Sequence, residues 1–253
     1  LKRTPNDPSL HVARAAWLYS VGRLRDAARA LEIASLLEPL GPAVEGLRAS
    51  MLNARSDFET ARDIVSAAWM RWPDSPFIWY LMWSTLCVAG ALDEAEQLAR
   101  PELVPRRAVT QRDVDVLRNY VGLLRLPPAE QRVECERMMR EAAEGEAPFC
   151  LSTFIFAAAH GCPDQAFDAI NTALDAGRQL RPDNHEAFGM ARAHSPLQFF
   201  VGAAGDPVWK HPRFPALCAR VGLAQYWVET KKWPDFATET AYDFKAACIE
   251  AVG

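Results

Sequence analysis

A 34-residue interval runs through the first half of this chain. Ala27, Ala61, Ala95 and Ala129 are spaced by it, since 61 − 27, 95 − 61 and 129 − 95 are all 34. Leu24, Phe58, Leu92 and Leu126 keep the same interval three residues upstream of each alanine. Pro8, Pro42 and Pro76 keep it too, as do the pairs Ala34/Ala68 and Pro39/Pro73. A period of about 34 residues has the length of one helix–turn–helix unit, and such units bury their apolar faces by stacking on one another. The chain is therefore expected to be an all-α solenoid, with an array of about five helical pairs over residues 8–180.

The units can be read in turn. The first runs from Pro8, which suits a first helical turn where its missing N–H is not needed. Leu10, Ala13 and Trp17 recur at helical spacing, Gly22 permits a tight turn, and Leu24, Ala27, Leu31 and Ala34 form the face of a second helix that Pro39 ends. The alanine column has a packing reason: two antiparallel helices approach closely there, and a larger side chain would push them apart. In the second unit Ser56-Asp57 replaces the turn glycine. The third is the most aromatic, with Phe77, Trp79, Tyr80 and Trp83, and Pro101 cuts its second helix short. In the fourth, Thr110 is the expected N-cap of a helix reaching Leu124, and the second helix is placed near Pro127-Pro128 with Ala129, Val133 and Met138 on its face. The fifth is shifted: Gly161, Ala166, Ile170 and Ala173 copy the spacing of Gly22, Ala27, Leu31 and Ala34 at an offset of 139 (161 − 22), three more than four periods. The extra residues fit Gly145-Glu146-Ala147.

The pattern Gly22-x-Leu24-x-x-Ala27, then Ala34 and Pro39, resembles the tetratricopeptide repeat over roughly residues 8–180. Arg14 and Arg48 depart from it, standing where that family has a leucine, and Ser56 and Leu124 stand where it has the turn glycine. From about Arg181 the period is lost, and residues 181–253 read as an irregular linker followed by a helical capping segment. Short helices are expected from Pro212 (Phe214, Leu217, Val221), around Tyr226-Trp227, and from about Tyr242 to Ala251. The run His211-Pro-Arg-Phe, Leu217, Arg220, Gly222-Leu223, Tyr226-Trp227 and Trp233-Pro-Asp-Phe236 resembles the closing segment of a group of proteobacterial tetratricopeptide proteins, in which the array often follows a signalling or winged-helix DNA-binding domain. A solenoid's last unit exposes an apolar face, and Trp209, Phe214, Leu217, Tyr226, Trp227 and Trp233 could cover it.

The chemistry-bearing residues point away from catalysis. None of the histidines (His11, His160, His185, His194, His211) pairs with His or Cys at metal-ligand spacing on one helix. His185-Glu186 lacks the second histidine of a zincin, and Gly202–Gly205 lacks the Lys-Ser/Thr of a phosphate loop. No nucleophile–base pair stands out, so the chain reads as a non-enzyme, and no cofactor or metal is implied. The six cysteines (87, 135, 150, 162, 218, 248) form no C-x-x-C and suit small core residues in a reducing, cytoplasmic setting. The chain begins at Leu1 rather than Met, which is compatible with an upstream signal or anchor, and no apolar run is long enough for a transmembrane helix. A net charge of −4 supplies no basic field for nucleic acid, and the Arg106-Arg107 patch, with Arg112, Arg137 and Arg140 near it, is small.

The expected function is therefore binding. By family resemblance the first helix of each unit lines the inner groove, which assigns to a partner-binding site Tyr19, Ser50, Asn53, Phe77, Tyr80 and Ser84. The basic clamp with which tetratricopeptide proteins hold a chaperone's C-terminal carboxylate is missing: the corresponding places are Val12, Ala16, Gly46, Ser50, Tyr80 and Ser84. A more apolar peptide or helix of another protein is the expected ligand. The alternative is an effector-sensing module of a bacterial transcriptional regulator or signalling protein, which a deep pocket with converging polar groups would favour.

Overall fold

The computed structural model describes residues 6–105, 109–146, 148–181 and 206–253. The described chain is all-α, apart from one two-residue parallel pairing of Phe149–Cys150 with Leu180–Arg181. Five antiparallel pairs come first: α1 (Pro8–Ser20) with α2 (Leu24–Leu37), α3 (Pro42–Asn53) with α4 (Phe58–Arg71), α5 (Pro76–Val88) with α6 (Leu92–Leu98), α7 (Gln111–Leu124) with α8 (Pro128–Glu144), and α9 (Leu151–Ala159) with α10 (Pro163–Asp175). Each pair packs on the next in chain order. Four short helices follow: α11 (Asp206–Trp209), α12 (Phe214–Arg220), α13 (Leu223–Thr230) and α14 (Phe244–Val252), with a 3-10 turn at Asp235–Thr238.

The signals read from the sequence act locally as expected. Pro8, Pro42 and Pro76 each open a helix. Gly22, Gly90 and Gly161 turn between the helices of a pair with φ of 77°, 75° and 86°. Ser56 holds the same left-handed backbone at φ 60°, and Asp57 then caps α4 by accepting from the Thr60 N–H at 3.3 Å. Thr110 caps α7 in a reciprocal capping box with Asp113, and α6 is only seven residues long before Pro101. The helix-crossing alanines Ala27, Ala61, Ala95 and Ala166 are all 0% exposed.

Ala129 breaks the column and lies exposed. The residue preceding a proline is pushed from helical toward extended backbone, and the helix starts at Pro128, with Pro127 extended at φ −56° and ψ 148°. Helix α8 thus begins 104 residues after α2 (128 − 24), two more than three periods of 34. Most of the extra length enters before α8 and not at Gly145–Ala147. Counted from the helix start, the alanine's place belongs to Gln131. A second correction concerns α1: its buried residues are His11, Ala15, Leu18, Tyr19 and Ser20, while Leu10, Ala13 and Trp17 are exposed. Those three occupy the columns that face the preceding unit in the later pairs; on α1 Tyr226 of α13 meets the Trp17 ring edge-on at 5.4 Å.

The C-terminal segment folds around its own aromatic core. Phe214, Leu217, Leu223, Trp227, Phe236 and Phe244 are buried in it, and Tyr226 and Trp233 are half-buried. It covers the last pair as expected: α11 packs on α9, the His211 ring stacks on Phe167 at 4.6 Å, and Arg213 and Arg220 reach Asp168 and Asp175 on α10 at 2.8 and 2.6 Å. It also reaches the first pair, which a pure end cap would not. Trp227 Nε1 donates to the Val21 carbonyl at 3.0 Å, and the Asp235 N–H donates to the Gly22 carbonyl at 2.9 Å. The Arg25 N–H donates to Asp235 Oδ2 at 2.8 Å. The two ends of the array share one hydrophobic core through this segment. The linker region before it, including Pro182, His185, Glu186, His194, Pro196, Phe199-Phe200 and Gly202–Gly205, lies outside the described residues.

Enlarging a crossing alanine should overpack. Ala61→Leu and Ala95→Leu are each expected to lose about 1–3 kcal/mol in urea unfolding, whereas Ala129→Leu should stay within about 0.5 kcal/mol of the parent. Equal losses at all three positions would show that Ala129 occupies the crossing after all.

Candidate functional site

The first helices of the third, fourth and fifth pairs bring aromatic rings into a continuous row. Tyr80 stacks on Trp83 within α5 at 5.9 Å. Trp83 meets Tyr120 of α7 edge-on at 5.4 Å, and Tyr120 meets Phe156 of α9 at 4.8 Å. Phe156 then contacts the His160 ring at 4.2 Å. Such offset and edge-to-face contacts add about 0.5–1.5 kcal/mol each beyond area burial, so the row is stiff. Its middle is partly open: Tyr80 and Tyr120 are half-buried, whereas Trp83 and Phe156 are buried. The Trp83 indole N–H is buried without an acceptor among the described residues.

A cleft opens beside this row because of Gln131. Where the other pairs have an alanine that lets the two helices close up, α8 carries a long amide. Gln131 Nε2 donates to the Leu124 and Leu126 carbonyls at 3.1 and 2.8 Å, and its Oε1 lies 2.8 Å from His160 Nδ1. Both amide hydrogens are spent on carbonyls, so Oε1 must accept, and His160 carries its proton on Nδ1. Helix α7 consequently packs only lightly on α8. The space between α7, α8 and α9 is about 560 Å³, with Val116, Tyr120, Met138, Thr153 and Phe156 among its walls. Glu134 and Arg137 line it too, and Arg137 pairs with both Glu134 and Glu141, which leaves the rim close to neutral. Its size lies within the range of small-molecule sites.

The six residues assigned from the sequence fall into two groups. Tyr19 and Asn53 are buried, 6% and 9% exposed. Burial pushes the Tyr19 hydroxyl well above the usual phenol range, and Asn53 Nδ2 donates to Thr85 Oγ1 at 2.8 Å, tying α3 to α5. Both hold helices together. Ser50, Phe77, Tyr80 and Ser84 are half-buried. Ser50 and Ser84 spend their hydroxyls on the Gly46 and Leu81 carbonyls, both at 3.0 Å. The Phe77 ring fills the place of a side chain at Gly46, where a Cβ would lie 2.3 Å from its Cε1. Tyr80 joins the aromatic row through Trp83. Tyr120, Gln131, Met138 and Phe156 had no part in the sequence assignment; counting the fourth pair from Pro128 instead of Ala129 would have put Gln131 in the alanine column.

The remaining constellations are structural where they are described. All six cysteines are buried thiols; burial pushes Cys87, Cys135 and Cys248 up to about 12, which keeps them protonated and poorly nucleophilic. No three His, Cys, Asp or Glu residues among those described could hold a metal ion. No helix among them is long and apolar enough to cross a membrane. Arg106 and Arg107 lie outside the described residues. No protein-family model, curated protein or solved structure matches the chain.

Burial lowers the His160 pKa from its ordinary 6.5. A base whose folded pKa is depressed favours folding above its unfolded pKa, and that contribution is lost as pH falls through the folded value. The His160 ring should therefore titrate below 6.5 by NMR, and the decline in stability over that acid range should be shallower in His160→Asn. An unshifted titration would mean that the Gln131 contact is open to water.

Proposed function

We propose that this chain is a tetratricopeptide-like array, a right-handed α-α superhelix, that binds a peptide or helix of a partner protein. The observation that carries the reading is the aromatic row across three successive first helices, half-open at Tyr80 and Tyr120, beside a cleft walled by apolar side chains. Tyr and Phe bring large contact area at low entropic cost, and anchors set in desolvated pockets dominate the energetics of recognition. The neutral rim and the absence of a basic clamp favour an apolar ligand over an acidic tail. Tyr80, Val116, Tyr120 and Met138 are the anchor-bearing positions; Ser50, Phe77 and Ser84 flank them, and Tyr19 and Asn53 support the helices from below.

The cleft between α7, α8 and α9 also favours a second reading, an effector-sensing module in which a small molecule fills the space beside Met138 and Thr153. One experiment separates the two. The purified chain serves as bait, the captured partner is identified by mass spectrometry, and its affinity is measured by calorimetry against variants. Tyr80→Ala and Met138→Asp should each weaken the complex by more than about 1 kcal/mol with the helical signal unchanged. A small molecule found in the native mass spectrum and displaced by Met138→Asp, with no protein partner, would move the reading to effector sensing. Turnover of a substrate would overturn both.

A further inference from the structure

Two glycines lie inside helices among the described residues, Gly46 in α3 and Gly122 in α7. A glycine there weakens a helix more than any residue except proline, so each position asks for a reason. At Gly46 the reason is contact: the Phe77 ring stands where a side chain would be, its Cε1 2.3 Å from the place of a Cβ. At Gly122 there is no such contact. A Cβ there would meet nothing within 4 Å, and its backbone is ordinary helix without a positive φ. What Gly122 borders is the cleft between α7, α8 and α9, whose wall it shares with Val116, Tyr120, Met138 and Phe156. The missing side chain relieves no clash; it adds to the open space, at a cost in helix stability.

The lining says what that space can hold. Tyr120 and Phe156 meet edge to face at 4.8 Å, and the Met138 side chain lies on the same wall. Rings and thioethers favour another ring through offset, edge-on and sulfur contacts. The charges at the cleft are matched within the protein. Arg137 pairs with Glu134 and Glu141, and Arg118 donates to the Ala99 carbonyl at 2.8 Å and stands 3.8 Å from Asp115. A charged ligand would be desolvated there with no counterion left to it. Asn119 and Thr153 also line the cleft, and neither side chain hydrogen-bonds to another described residue. We infer that the cleft binds an uncharged aromatic small molecule carrying one hydrogen-bonding group. Its ring lies against Tyr120, Met138 and Phe156, and its polar edge meets Asn119 and Thr153. The inference rests on the effector-sensing reading of this cleft and names the class of the effector.

The probe is indole, an uncharged ring with a single N–H, compared with indole-3-acetate, tryptamine and cyclohexanol. Binding to the full chain is followed by NMR of isotope-labelled methionine methyls, the Met138 signal being assigned with Met138→Leu. Indole should shift that signal saturably through its ring current. The two charged analogues should bind about tenfold more weakly, and cyclohexanol more weakly than indole. The double variant Asn119→Leu/Thr153→Val should lower indole affinity about fivefold. Gly122→Leu should fill the space and abolish the shift while raising the urea midpoint, because leucine favours helix over glycine. A lowered midpoint, undiminished indole binding in Gly122→Leu, or full affinity in the double variant would overturn the inference. Equal affinity of a charged analogue or of cyclohexanol at Met138 would overturn the class while leaving the cleft a small-molecule site. A Met138 signal that none of the four compounds moves would overturn both the class and the effector-sensing reading beneath it.

Discussion

The contact between the Gly22 turn and the Trp227–Phe236 stretch joins the ends of the array, and much of the fold depends on it. In an open stack of repeats each unit touches only its neighbours, and stability is close to a sum of local terms. Here residues more than two hundred positions apart are hydrogen-bonded, backbone to backbone from Asp235 to Gly22 and through side chains at Trp227–Val21 and Arg25–Asp235. The approach is so close that a Cβ at Gly22 would lie 2.6 Å from Pro234 Cβ and 2.9 Å from Phe236 Cε1. Glycine is required there twice, once for the turn at φ 77° and once for this approach. No other turn glycine of the array has that second demand: a Cβ at Gly90 would meet nothing within 4 Å, and one at Gly161 only the end of Arg132 at 4.0 Å.

Residue size in one column decides where the helices of a pair close and where they part. Alanine at the crossing brings the first, second, third and fifth pairs into direct packing. Gln131 in the fourth replaces that contact with hydrogen bonds to two carbonyls and to His160. The cost is lost apolar burial between α7 and α8; the Gln131 amide itself is fully hydrogen-bonded. Because its amide is fully used, Gln131 holds the opening at one width, which suits a preformed site better than a flexible gap.

Much of this fold was legible in the sequence because its signals are local. Prolines at helix starts, glycines at turns, Thr110 at a cap and alanines at crossings each act on a few neighbouring residues, and, Ala129 apart, each acts where it was read. The register of the fourth pair was misread because Ala129 imitates the column while Pro128, one residue earlier, controls the helix start. The site was less legible for a related reason. Tyr19 and Asn53 occupy inner-face columns, but whether a column ends in solvent or under another helix depends on the packing of neighbouring pairs, which one unit's sequence does not carry. The union of the C-terminal segment with the first pair was invisible as well: its key acceptors are the carbonyls of Val21 and Gly22, and backbone groups leave no mark in residue identity.

The two attachments of the C-terminal segment differ in kind. Toward α10 it offers Arg213 and Arg220 to a stripe of aspartates, Asp164, Asp168 and Asp175, whose side chains are 73%, 70% and 73% exposed. Pairs so open to water contribute about 0–1 kcal/mol each and weaken with salt. Toward the first pair it brings Trp227, 0% exposed, and Phe236, 6% exposed, and full burial of large apolar side chains stabilises by about 1.5–3 kcal/mol apiece. The ion pairs set the register of α12 along α10, since arginines seven residues apart must meet aspartates seven apart, 168 and 175. The apolar contacts supply the larger part of the energy. The joining of the two ends is therefore governed by hydrophobic burial around Trp227, and the charge zipper on α10 selects the orientation in which that burial occurs.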